Sequence, residues 1–151
     1  MANLRDLYQD IIFDHYKAPR NQHPLAAANH QAQGHNPLCG DSVTIYLHVE
    51  NGVVADASFE GTGCAISTAS VSLMTEALKG KKVADVEQLF SDFHDMVTGN
   101  ETAPSGTLGK LEALAGVREF PARIKCATLA WHTLRAALKN QSAPVTTESP
   151  P

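Results

Sequence analysis

Near the start of the chain Leu4, Leu7, Tyr8, Ile11, Ile12 and His15 fall at i, i+3, i+4, i+7, i+8 and i+11, the single stripe of an amphipathic helix. Pro19 ends that helix, because proline lacks the N–H that a further turn would use. The polar exit leaves Lys17, Arg20 and Asn21 as candidates for a partner surface. From Gln22 to Gly34 no period is legible, and Pro24, an alanine run and two histidines, His23 and His30, give the stretch the look of a loop. The period then becomes two. Val43, Ile45, Leu47 and Val49 alternate with Thr44, Tyr46, His48 and Glu50, a half-buried strand. Asn51-Gly52 is the strongest two-residue hairpin signal a sequence offers, and Val53, Ala55, Ala57 and Phe59 predict the returning strand with those four on one face.

Helical spacing resumes beyond Cys64, through Ile66, Ala69, Ser70, Leu73, Met74, Ala77 and Leu78 to a capping Gly80. Gly61 and Gly63 permit a sharp turn from strand to helix. Cys64 then falls near a helix N-terminus, where free N–H groups and the dipole favour a thiolate. Val83 to Val97 predicts another helix, Thr98–Gly109 a loop or insertion, and Leu111–Val117 a short helix. Phe120-Pro121 opens the last long helix, with proline in its first turn and Cys126 soon after. Residues 1–140 read as one domain, and 141–151, rich in Ser, Thr and Pro, as a disordered tail.

Composition narrows the function classes. A chain of 151 residues with 43% apolar and 19% charged residues can bury a real core. A net charge of −4 speaks against a general nucleic-acid binder. No apolar run is long enough to span a membrane, and the amphipathic start is not a signal peptide. Three cysteines, an odd count, suit a secreted disulfide framework poorly, so the expected place is the cytoplasm.

The candidate chemistry lies in Cys39, Asp41, Cys64 and Cys126, donor types that zinc takes in a tetrahedral site. No Cys-x-x-Cys pair brings them together locally. The hairpin does part of it, since Cys39 and Asp41 stand at the start of one strand and Cys64 at the end of its partner. Cys126 joins if the last helix packs its N-terminal end against the end of the sheet. The alternative is three buried structural cysteines. Glycines beside Cys39 and Cys64, and a carboxylate beside a cysteine, weigh toward a metal site. Arg123 and Lys125 precede Cys126, and cations beside a thiol favour its thiolate.

The chain resembles the SufU/IscU group of iron–sulfur cluster assembly proteins, which are similar to the N-terminal domain of NifU. The likeness rests on Leu7-Tyr8-Gln9-Asp10-Ile11-Ile12, Asp14-His15-Tyr16, Pro19-Arg20-Asn21 and Gly34-His35-Asn36-Pro37-Leu38-Cys39-Gly40-Asp41. It continues through Phe59-Glu60-Gly61-Thr62-Gly63-Cys64-Ala65-Ile66-Ser67, Arg123-Ile124-Lys125-Cys126-Ala127 and Trp131. Lys125 where IscU-type members carry His, no Leu-Pro-Pro-Val-Lys motif, and an insertion over Thr98–Val117 make it similar to the SufU branch. The resemblance implies an α+β fold, a small antiparallel sheet packed against several helices. It implies zinc held by Cys39, Asp41, Cys64 and Cys126, and a zinc-dependent sulfurtransferase in which Cys39 takes sulfur from a persulfide, with Arg123 positioning the thiolate. The implied partners are a pyridoxal-phosphate cysteine desulfurase of the SufS type and downstream Suf components, with no nucleic acid and no membrane. The other function the same residues allow is a scaffold that holds a transient iron–sulfur cluster.

Overall fold

Asn51 and Gly52 both take positive φ, 53° and 75°, the backbone of a two-residue turn whose twist matches paired strands. In the computed structural model, which describes residues 4–37, 40–99, 108–140 and 145–146 (side chains from residue 9 onward, that of Thr146 excepted), this turn joins β2 (Asp41–Glu50) to β3 (Val53–Thr62). The alternation along β2 is as the sequence predicts, with Val43, Ile45 and Leu47 buried. In β3 it slips. The register steps from His48↔Asp56 to Val49↔Val54, so Ala55 is an extra residue, a bulge that turns Val54 inward and leaves Ala55 exposed.

The stretch read as a loop contains a third strand, β1 (His30–Asn36), antiparallel to β2. Its sequence, His-Gln-Ala-Gln-Gly-His-Asn, alternates in burial but not in hydrophobicity, because the inward positions are Ala32, Gly34 and Asn36. Small residues stand there because a helix lies close above. A Cβ at Gly34 would run into Thr133 Oγ1 and come within 3.1 Å of Leu129. In the stretch expected to be a tail, Val145–Thr146 form β4, parallel to β1, and the sheet order is β3-β2-β1-β4.

The helices α2 (Ala65–Leu78) and α4 (Pro121–Leu138) pack on the sheet, and α1 (Leu4–Lys17), α3 (Val83–Thr98) and a 3-10 helix (Gly109–Glu119) pack around them. Pro121 occupies the first turn of α4, where its missing N–H costs nothing. Phe93 stacks on buried Trp131 with ring centroids 4.3 Å apart. The Trp131 indole N–H is satisfied by Ser70 Oγ at 3.2 Å.

Arg20 and Asn21, read from the sequence as partner-surface candidates, tie α1 to the rest of the fold. The Arg20 backbone N–H donates to Ser72 Oγ, and the Asn21 carboxamide to Thr75 Oγ1. Asn21, at φ 63°, also accepts the Phe59 N–H on its carbonyl. His15 is 1% exposed, with Nδ1 2.7 Å from Ser72 Oγ and Nε2 3.5 Å from Glu76. Burial, reinforced by Arg20, pushes the imidazole below its usual 6.5, against the opposing pull of Glu76. The neutral ring is thus the form that fits. Its contribution is complete above about pH 6.5 and is lost as pH falls toward the lower folded value, where the unfolded chain binds the extra proton. Burial lowers His132 in the same direction. We therefore expect the urea midpoint to fall between about pH 7 and pH 5, and the fall to be shallower in His15→Gln. An unchanged slope in that variant would remove His15 from the account.

Candidate metal centre

Strand register builds one wall of the site. Asn36 lies opposite Asp41, and Ser42 opposite Thr62, so the ends of β1, β2 and β3 meet at one edge. Gly61, at φ 151°, lets β3 pass close over β2. Two residues beyond Thr62, Cys64 caps α2, its sulfur accepting the Ser67 N–H at 3.4 Å. The Cys64 backbone N–H in turn donates to Asp41 Oδ1 at 2.9 Å. Gly63 makes room for this, since a Cβ there would lie 2.8 Å from Asp41 Oδ1. Cys126 enters from above, in the second turn of α4, 1% exposed.

The ligand atoms of Asp41, Cys64 and Cys126 all lie within 4.8 Å of one another. Cys39, the fourth residue singled out in the sequence, lies outside the described residues. Asp41 is fully buried, and its second oxygen, Oδ2, has no hydrogen-bond partner among the described residues. A bare carboxylate oxygen in the interior is costly, and beside two thiols it is the arrangement a cation would satisfy. Two sulfurs and a carboxylate oxygen suit zinc or an iron–sulfur cluster rather than magnesium or calcium. The donor set therefore fits the group that the sequence suggests.

Arg123 stands exposed in the first turn of α4, three residues before Cys126. It borders a groove of about 750 Å³ formed with Ile12, Ile66, Val117, Arg118 and Phe120. Its lining includes Ile66, in the first turn of the helix that Cys64 caps, and Phe120, which is 56% exposed.

One polar residue of the site was missed in the sequence. Asn36 is fully buried, and its carboxamide donates to Cys126 Sγ at 3.8 Å. Its only signal was its place in His35-Asn36-Pro37, three residues before Cys39. No helix among the described residues is long and apolar enough to cross a membrane.

The model of the NifU-like N terminal domain matches residues 7–127. The zinc-dependent sulfurtransferase SufU of Bacillus subtilis is 45% identical over 93% of this chain and 95% of its own. The iron–sulfur cluster assembly scaffold protein IscU of Thermotoga maritima is 41% identical over 91% of this chain and 96% of its own. A solved structure from Fervidobacterium islandicum, described as a scaffold candidate of the SUF system, superposes with a TM-score of 0.82 at 32% identity, covering 90% of this chain and 99% of that one. With a family model spanning most of the chain and relatives of this identity along nearly its whole length, the chain belongs to the NifU-like N-terminal domain family of iron–sulfur cluster assembly proteins.

Proposed function

We propose that this chain is a zinc-dependent sulfurtransferase of iron–sulfur cluster assembly. It takes sulfur from the persulfide of a pyridoxal-phosphate cysteine desulfurase of the SufS type and passes it to downstream Suf components, in the cytoplasm. The observation that carries the reading is the convergence of ligand atoms of Asp41, Cys64 and Cys126 within 4.8 Å of one another, with Asp41 Oδ2 buried and without a hydrogen-bond partner among the described residues. The 45% identity to a protein named zinc-dependent sulfurtransferase supports it.

Cys39, Asp41, Cys64 and Cys126 would hold the zinc. When bound, zinc supplies a positive centre that keeps its thiol ligands deprotonated near neutral pH. The chain's own residues do the rest. The Cys39 thiolate attacks the outer sulfur of the desulfurase persulfide. A new S–S bond forms on Cys39 as the old one breaks, and the desulfurase cysteine leaves as a thiolate. Arg123, at the rim of the groove, positions the anionic sulfur during that exchange. Cys64 stays fixed through its place at the head of α2, and Cys126 through its burial in α4.

The deciding measurement is metal and acid-labile sulfide in protein purified without air and without added metal. About one zinc per chain and no sulfide is expected from a four-donor site. Iron with matching sulfide would overturn the relay and make the protein a scaffold, as the relatives named IscU are.

A further inference from the structure

Each described donor of the centre receives an N–H. The Cys64 N–H reaches Asp41 Oδ1, the Ser67 N–H reaches Cys64 Sγ, and the Asn36 carboxamide reaches Cys126 Sγ. The first two are backbone groups that the strand-to-helix turn provides in any case. The third is a side chain, fully buried on the short strand β1. A buried carboxamide is expensive unless its polar atoms are used, and here its N–H is aimed at the Cys126 sulfur. That expense points to a purpose at the sulfur.

We propose that Asn36 is a positioning residue of the metal centre, which orients Cys126 Sγ toward the bound ion and draws electron density from it through the N–H···S contact. The inference rests on the metal reading above. Three thiolates and a carboxylate would carry more negative charge than one divalent ion cancels. A donor aimed at a sulfur offsets part of that excess without adding a charge. It also makes that sulfur a poorer nucleophile. Cys126 and Cys64, each given an N–H, are thereby kept as resident ligands.

Asn36→Leu keeps the volume and removes the donor. In the cobalt(II)-substituted protein the thiolate-to-cobalt absorption of this variant is expected at lower energy than in the unsubstituted chain, because a sulfur without its N–H has higher-lying lone pairs. Zinc affinity, read by competition with a chromophoric chelator, should fall about 10–100-fold, as for other groups that orient a ligand. Mere loss of packing would lower stability without moving the absorption. Should Asn36→Leu not fold, the unsubstituted chain still decides: zinc loading should shift the Asn36 side-chain amide protons downfield and slow their exchange. An unmoved absorption band, or amide protons indifferent to zinc, would overturn the proposal. If the unsubstituted protein showed no thiolate-to-cobalt absorption at all, the metal reading itself would fall, and Asn36 with it.

Discussion

Replacing Cys39 with alanine is expected to lower sulfur transfer from a desulfurase persulfide by about three orders of magnitude or more, the scale of losing a covalent nucleophile. Neither remaining thiol can take its place. Cys126 is 1% exposed within α4, so a partner's persulfide reaches it only if the helix lifts off the sheet. Cys64 is half-buried and its sulfur caps the first turn of α2. The experiment follows sulfide release from free cysteine by the desulfurase, with reductant present and this chain added as acceptor. Cys39→Ala should remain folded, with a thermal transition close to that of the unsubstituted chain when both are metal-free and a lower one when both are zinc-loaded, because one donor of the site is gone. Arg123→Ala should be milder, about tenfold, with partial recovery in Arg123→Lys, because a cation at the rim aids the exchange without bonding to the moving sulfur. Retention of more than about a tenth of the rate in Cys39→Ala would move the acceptor role to Cys64.

The parts of the fold legible in the sequence are those whose burial follows hydrophobicity. Val43, Ile45 and Leu47 announced β2, Asn51-Gly52 announced the turn, and Pro121 the start of α4. What was illegible followed other rules. β1 was hidden because closeness to α4 leaves no room for a Cβ at Gly34, and its other inward positions, Ala32 and Asn36, carry no large apolar side chain to mark the alternation. The bulge at Ala55 was hidden because Val53, Val54 and Ala55 are all apolar, so an extra residue among them leaves no mark in the pattern. Arg20 and Asn21 look like surface groups in the sequence, and only the return of the chain past α2 reveals Ser72 and Thr75 as their partners. The site was legible to the extent that a hairpin brings its own ends together. Asp41 and Cys64 could be joined from the turn alone, whereas Cys126 needed the docking of α4, which depends on a glycine in an unread strand.

The end of β3 depends on a glycine of its own, and Gly61→Ala is expected to cost about 3 kcal/mol or more of stability. Gly61 has φ 151°, a conformation that side chains rarely adopt. Its Cβ would strike the Ser42 carbonyl and lie 2.9 Å from Val43 Cα. Those are backbone atoms of β2, fixed by the same pairing that aligns Ser42 with Thr62, so the strain cannot be relieved by a rotamer change. Gly52→Ala is the control. It also has positive φ, 75°, but open space around it, and should cost only about 1–2 kcal/mol for the left-handed backbone. Gly63→Ala separates stability from the site. There the new Cβ meets the Asp41 carboxylate and Ser67 Oγ, side-chain atoms at 2.8 and 3.0 Å, so the chain can fold around it by displacing Asp41. Denaturant midpoints should rank Gly61→Ala as the least stable of the three, while zinc affinity should fall further in Gly63→Ala than its loss of stability explains. If Gly61→Ala proved no more costly than Gly52→Ala, the close passage of β3 over β2 would be wrong, and with it the reason that Asp41 and Cys64 meet.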